Sequence, residues 1–174
     1  MSRFRPEDCR RLSSWHRGAE WWLQSSFFVV SLAIAGVGGC NIHELGHLVT
    51  GRALGVPVDH ITWCTPANGR IAFSYQEPAF VSYAGGFTAA LALGAVYRLL
   101  IWPRLAGRLW QAAGVAVLGT AVSQVIVGVM EGSSPEGYAR AQQYAWGFAL
   151  VAVLPLIAAA VMQRRLGPFA RQGG

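Results

Sequence analysis

Charged residues are scarce in this chain. They make up 13% of its 174 residues, and Lys is absent, so that all 14 basic residues are Arg. Soluble domains carry about 25% charged residues. With a hydrophobic fraction of 53%, the chain has too little charge to cover a globule in water. This shortage excludes a disordered chain, a soluble coiled coil and an ordinary cytosolic enzyme.

Several common signatures are also missing. The chain has only three cysteines, which form neither a Cys-x-x-Cys pair nor an even-numbered framework, so they predict no redox compartment. It contains no phosphate loop, no dinucleotide fingerprint and no internal repeat. A net charge of +6 can indicate nucleic-acid binding, but these arginines stand at the ends of apolar runs, as in membrane proteins. We therefore expect the lipid bilayer as a partner, and no nucleic acid.

Four long apolar runs dominate the chain. These stretches contain no charged residue and are between 19 and 23 residues long: residues 21–42, 79–97, 109–130 and 141–163. A membrane-spanning helix needs about 20 such residues. We therefore predict an all-α integral membrane protein with about four transmembrane helices. Residues 1–20 are predicted to be a basic interfacial segment, and residues 21–174 a single membrane-embedded domain.

Residues 56–78 separate the first two runs and differ from them in composition. They carry β-branched and aromatic residues on both sides of Asn68-Gly69. An Asn-Gly pair adopts the positive φ angles of a type I′ turn without strain. The segment is therefore predicted to be a short β-hairpin between the first and second transmembrane helices. An irregular surface loop is the alternative.

The arginines predict an orientation in the membrane. Eleven of the 14 lie before run one, between runs two and three, or after run four. These places are on one side of the membrane if all four runs span it. Because cytoplasmic loops carry the excess of basic residues, both termini are predicted to be cytoplasmic. The end of run one then lies at the opposite face.

The segment that continues run one reads His43-Glu44-Leu45-Gly46-His47. On a helix, residues i and i+4 lie above one another on one face, so the two imidazoles can bind one Zn²⁺. Zinc lowers the pKa of a bound water to about 7, and Glu44 is placed to act on this water as general base. Ionisable residues at membrane depth are costly and mark functional sites by default. An interfacial cluster that bonds only water and headgroups is the alternative.

A catalytic zinc usually takes a third protein ligand. Beyond residue 77 the chain has two acids, Glu131 and Glu136, and the predicted topology puts both on the same side as His43. Each also has a structural interpretation, because Glu136 can complement the dipole of the helix it opens and Glu131 can be an interfacial acid that ends run three. His60 with Cys64 is a weaker alternative pair. The residues alone leave this choice open.

The chain resembles the site-2 protease family of intramembrane zinc metalloproteases, in particular its small bacterial members. The resemblance is carried by HELGHLVTGRALG (43–55), by the hairpin segment after it, and by the Gly-rich stretch SYAGGFTAALALG (82–94). It implies a zinc metalloendopeptidase that hydrolyses peptide bonds of membrane or membrane-proximal substrates. It also implies an integral protein of the bacterial inner (plasma) membrane.

The resemblance assigns roles residue by residue. It maps zinc ligands to His43 and His47 and the catalytic base to Glu44. The family's third ligand is an acid on a later helix, normally Asp preceded by Pro and followed by Gly. Glu136 matches that context in Pro-Glu-Gly, and Glu131, which is also followed by Gly, is the second choice.

Two other functions stay open. The family's usual Gly-Pro-x-x-x-Asn reads Gly-Gly-Phe-Thr-Ala-Ala from Gly85 onward. A catalytically inactive relative that serves as a small structural subunit of a membrane complex is therefore the alternative. A metal-binding transport or sensing protein is the third hypothesis, and the few polar residues in runs two to four weigh against it. The small residues of the runs also favour a homo-oligomer or a larger membrane complex.

Overall fold

The computed structural model describes residues 6–64, 70–73, 78–134, 136, 147 and 149–170. The helices and strands within these ranges follow in chain order: α1 (Pro6–Ala53), β1 (Val58–Thr62), β2 (Arg70–Phe73), α2 (Ala79–Val96), α3 (Arg108–Ser133) and α4 (Leu154–Ala170). A π-helical turn, Tyr97–Ile101, extends α2, and a second one, Ala149–Val153, precedes α4. The prediction of a mostly helical chain with one hairpin is confirmed.

The first helix is far longer than the first apolar run. It has 48 residues, which corresponds to about 72 Å at the usual rise of 1.5 Å per residue. Residues 6–20 of the basic segment, the apolar run and the His-Glu-Leu-Gly-His motif therefore lie on one continuous helix. It ends because Gly55 takes a positive φ of 71°, and the Val56 amide then donates to the Gly51 carbonyl at 2.9 Å. This is the Schellman arrangement that commonly terminates helices.

The hairpin forms where the sequence predicts it. Strands β1 and β2 pair antiparallel, with Ile61 opposite Ile71 and Thr62 opposite Arg70, and a bulge interrupts the ladder after Val58. The predicted turn at Asn68-Gly69 falls in residues 65–69, outside the described part of the chain. The hairpin packs on α1, since a Cβ atom added to Gly51 would overlap the ring of Phe73.

Three helices in the described part are long and apolar enough to cross a membrane: Glu20–Ala53, Ala79–Arg104 and Arg108–Ser133. The fourth predicted span is represented by a shorter apolar helix, Leu150–Gln163, and residues 141–146 of that run lie outside the described part. Large apolar side chains on these helices face outward; Leu91, for example, is 76% exposed. A surface of this kind is suited to contact with lipid.

Pro155 lies where the π-helical turn Ala149–Val153 passes into α4. Pro155 has no amide hydrogen, so it cannot donate to the carbonyl four residues earlier, that of Val151. The hydroxyl of Ser123 on α3 donates to this carbonyl and joins α3 to the π-helical turn. Proline and π-helical turns are both common where the regular hydrogen bonding of a helix is interrupted.

Helices α1, α2 and α3 form the core of the described chain. At one end of this bundle, Arg108 forms an ion pair with Glu20, with a nitrogen–oxygen distance of 2.7 Å. A cluster of buried apolar residues follows: Ala35, Leu93, Tyr97, Ile101, Leu105, Ala113, Val117 and Ala121. At the other end, glycines allow backbones to touch, since a Cβ atom on Gly128 would lie 2.9 Å from Gly86 Cα. The motif of α1 lies at this second end.

Candidate metal centre

Helix α1 supplies two buried imidazoles. His43 and His47 are one turn apart, and their Nε2 atoms are 2.9 Å from each other. His43 is 6% exposed. The predicted i, i+4 arrangement is therefore present, and both Nε2 atoms point to the same place.

Helix α3 brings a carboxylate to the same place. Glu131 Oε2 lies 2.9 Å from His43 Nε2 and 3.6 Å from His47 Nε2. Glu131 is within α3 because the helix continues to Ser133, three residues beyond the end of the predicted span. Its carboxylate can therefore approach α1 from the side of the bundle.

Helix α2 contributes space for the imidazoles. A Cβ atom on Gly85 would lie 2.7 Å from His43 Cδ2 and would overlap Nε2 of His47. A Cβ atom on Gly46 would lie 2.8 Å from the carbonyl oxygen of Ala84. Glycine at these positions lets α1 and α2 approach closely enough for the rings to lie directly against the α2 backbone.

The second nitrogen of each imidazole is also bonded. His47 Nδ1 lies 2.8 Å from the carbonyl oxygen of Val81, and His43 Nδ1 lies 2.8 Å from Oε1 of Gln124. A carbonyl oxygen only accepts, so each Nδ1 carries the proton and donates it. In a neutral imidazole the Nε2 atom then keeps a free lone pair. The Nε2 lone pairs of the two histidines and Oε2 of Glu131 therefore point to the same place.

The three ligand atoms suit a zinc ion. Two imidazole nitrogens and one carboxylate oxygen are a common protein ligand set for catalytic zinc. Donors at zinc–ligand distances of about 2.0–2.1 Å in tetrahedral geometry are about 3.3 Å apart, close to the separations of 2.9 and 3.6 Å. Glu131 Oε2 is buried and receives no hydrogen bond within the described part of the chain. A cation would satisfy this oxygen and both lone pairs.

Glu44 lies beside this group and does not belong to it. It is 7% exposed, and its carboxylate accepts a hydrogen bond from the backbone amide of Ile71 on β2. The hairpin therefore holds the carboxylate next to the two imidazoles. A buried carboxylate in this position is placed to exchange a proton with a water molecule.

A disulfide fastens the hairpin to α1. Cys40 and Cys64 are bonded, with Cα atoms 6.0 Å apart. Asn41 adds two hydrogen bonds to the same residue, accepting from the Cys64 amide at 3.0 Å and donating to its carbonyl at 3.2 Å. Cys40 precedes Glu44 by one turn, so these bonds act directly beside the catalytic candidate. If the disulfide were reduced, the two thiols and Glu44 would form a second group of close ligand atoms.

The structure brings some of the candidate site residues together and leaves others apart. It brings His43, His47 and Glu131 together. Glu136, the first choice for the third ligand, is exposed and is not part of this group. His60 and Cys64, the alternative ligand pair, are not part of this group either. His60 is exposed and Cys64 is bonded to Cys40.

Gln124, Val81 and Gly85 were not singled out from the sequence as site residues. One pattern could have indicated Gln124, because it precedes Glu131 by seven residues. That spacing is two helical turns and puts both side chains on one face of α3.

The described arrangement offers a three-ligand cation site beside a buried carboxylate. Comparison with known proteins finds no matching family model, no matching curated protein and no matching solved structure.

Proposed function

We propose that the chain is a membrane-embedded zinc metalloendopeptidase that hydrolyses peptide bonds of membrane or membrane-proximal substrates. The observation that carries this proposal is the convergence of His43, His47 and Glu131 next to Glu44. Two imidazoles, a carboxylate ligand and a separate carboxylate base are the elements of metal-assisted hydrolysis. The resemblance of residues 43–55 to site-2 proteases agrees with it.

Each residue has a role in this proposal. His43, His47 and Glu131 would hold the zinc ion, which would supply the Lewis acidity that lowers the pKa of a water molecule and polarises the substrate carbonyl. Glu44 takes a proton from the attacking water while the water oxygen forms a bond to the carbonyl carbon of the substrate. When the carbon–nitrogen bond breaks, Glu44 returns that proton to the leaving amine. Hydrolysis therefore consumes one water and leaves Glu44 unchanged.

The hairpin supports the use of an extended substrate. A helical membrane segment must unwind before a peptide carbonyl can reach the centre, because helical carbonyls are bonded within the helix. An extended peptide can instead pair with the edge of a two-stranded sheet. Because Ile71 of β2 bonds to Glu44, a strand added to the hairpin would run close to the catalytic carboxylate.

The proposal includes an orientation in the bacterial plasma membrane. The end of the bundle that carries Arg108, Arg98 and Arg104 is placed in the cytoplasm together with both termini, following the excess of Arg. The Cys40–Cys64 disulfide lies at the other end, and disulfides persist in oxidising compartments outside the cytoplasm. These two independent features favour the same orientation.

The test is proteolysis of a membrane-anchored model substrate by the zinc-loaded protein in detergent or liposomes. We expect Glu44→Gln to lower the cleavage rate by about 10²–10⁴-fold, the usual contribution of a general base, while zinc remains bound. Glu20→Gln is the matched control, because Glu20 forms an exposed ion pair at the far end of the bundle. Equal cleavage by wild type and Glu44→Gln, or no cleavage by either, would favour the structural-subunit hypothesis.

A further inference from the structure

The two histidines differ in how their second nitrogen is held. His47 donates to a backbone carbonyl, that of Val81, which every sequence would supply. His43 donates to a side chain, Oε1 of Gln124, 2.8 Å away. The hydrogen bond of His43 therefore depends on the identity of one residue of α3.

This hydrogen bond decides which nitrogen of His43 can bind a metal. Without an acceptor at Nδ1, the proton of the neutral ring would move to Nε2, where Glu131 Oε2 lies 2.9 Å away and can accept it. Nε2 would then have no lone pair with which to bind the ion. Gln124 opposes this exchange because its oxygen retains the proton on Nδ1.

The surroundings of Gln124 favour this role over simple packing. It lies in an apolar helix, where a polar side chain is costly unless it is bonded. Two other glutamines, Gln111 and Gln163, donate to backbone carbonyls at 2.8 and 2.7 Å. Gln124, in contrast, accepts from an imidazole. Gly86 allows α2 to lie directly against the backbone at Gln124, because a Cβ atom there would overlap the Gln124 carbonyl.

We propose that Gln124 is a positioning residue of the metal centre, which holds His43 in the tautomer that leaves Nε2 free and orients its ring. The inference rests on the proposed zinc site and extends it by a residue that touches neither the ion nor the substrate. Hydrogen-bond partners of this kind typically change metal affinity by about 10–100-fold when they are replaced.

The test is the zinc affinity of purified full-length protein, measured by competition with a chromophoric chelator. Gln124→Met has a similar length and no oxygen, and we expect its zinc affinity to fall about 10–100-fold. Gln124→Glu keeps an acceptor and should remain within a few-fold of wild type. Gln111→Met, on the same helix but remote from the centre, is the matched control and should bind zinc as wild type does.

A second measurement reports the tautomer itself. In zinc-free protein with ¹⁵N-labelled histidine, we expect the His43 proton on Nδ1 in wild type and Gln124→Glu, and on Nε2 in Gln124→Met. Loss of packing alone would not move this proton. If Gln124→Met cannot be purified in folded form, Gln124→Asn serves instead, because its amide is one methylene too short to reach Nδ1.

The outcomes separate this inference from the proposed function. Zinc bound by wild type and equally well by Gln124→Met, with the His43 proton unmoved, would overturn the role of Gln124 and leave the zinc site intact. Equal losses in Gln124→Met and Gln124→Glu would also overturn it, since an acceptor would then not matter. Wild type that binds no zinc would overturn both.

Discussion

At the scale of single residues, the centre depends on one carboxylate that completes a pair of histidines. The two imidazoles come from adjacent turns of one helix and provide only two ligand atoms. Glu131 adds the third from a different helix, at 2.9 Å from His43 Nε2. Loss of this oxygen would leave buried lone pairs with too few ligands to retain a cation.

We predict that the two candidate acids differ in their effect on metal content. Glu131→Gln replaces a carboxylate with a neutral amide of the same shape, and we expect bound zinc to fall from about one per chain to a small fraction of that. Glu136→Gln should retain zinc, because Glu136 is exposed and outside the ligand group. Mass spectrometry of metal in the purified proteins checks this. Loss of zinc in Glu136→Gln alone would restore Glu136 as the third ligand.

The sequence allowed the histidines, but not this carboxylate, to be assigned. The positions of His43 and His47 follow from helical spacing alone, which needs no tertiary information. The choice between Glu131 and Glu136 depends on where α3 ends and how it is rotated. The predicted span stops at residue 130, whereas the helix continues to Ser133 and keeps Glu131 on the face of Gln124. Packing of α3 against α1 and α2 determines this rotation.

At the scale of helices, glycines set the distance between α1 and α2. Gly85 lies against both imidazoles, so that any larger residue would occupy the space of the rings. Gly94 lies on the same helix but has open space around it. The same substitution at these two positions therefore separates an effect on the centre from an effect on the helix.

We predict that Gly85→Ala lowers zinc affinity about tenfold or more, because overpacking costs about 1–3 kcal/mol and displaces the rings. Gly94→Ala should leave zinc affinity unchanged and stabilise α2 slightly, since Ala is the better helix former by up to about 1 kcal/mol. Chelator competition and thermal unfolding of both variants provide the measurements. Equal zinc affinity in the two variants would refute the contact described for Gly85.

The hairpin shows what local sequence can and cannot predict. Its strands follow from β-branched residues on both sides of Asn68-Gly69, which is local information. The bond between Cys40 and Cys64 joins a helix to a segment 24 residues later and could not be predicted from three unpatterned cysteines. The contact of Ile71 with Glu44 has no sequence signature either.

We predict that Cys64→Ser lowers the thermal stability of the purified protein. In the chain-entropy account, a bond across this separation contributes roughly 3 kcal/mol. We also expect slower proteolysis, because a loosened hairpin would hold Glu44 less firmly through Ile71. Unfolding curves with and without reductant test this, and Cys9→Ser, which keeps the pair intact, is the control. A reductant that lowers the stability of Cys64→Ser as much as that of wild type would show that the disulfide is not the cause.

At the scale of the whole molecule, the two ends of the bundle differ in chemistry. One end carries the Arg108–Glu20 ion pair together with Arg98 and Arg104. The other carries the histidines, the carboxylates and the disulfide. In a membrane, such a difference between ends sets a direction.

We predict that the C-terminus lies in the cytoplasm. A green fluorescent protein fused there should fluoresce in bacterial cells, and an alkaline phosphatase fused at the same position should be inactive, because that enzyme needs an oxidising compartment for its disulfides. An inverted orientation would give active phosphatase. It would also place Cys40 and Cys64 in a reducing compartment, where both would be free thiols. A thiol-blocking reagent added before denaturation would then label both cysteines.

The touching backbones of Gly86 and Gly128 have a consequence for how the protein responds to its lipids. Where side chains separate two helices, the helices can slide as those side chains change rotamer. Here α2 and α3 meet through backbone atoms, which have no such freedom. In a thinner or thicker bilayer, hydrophobic mismatch would therefore tilt the bundle as one body. The spacing between Gln124, Glu131 and the two histidines would then stay the same across membranes of different composition.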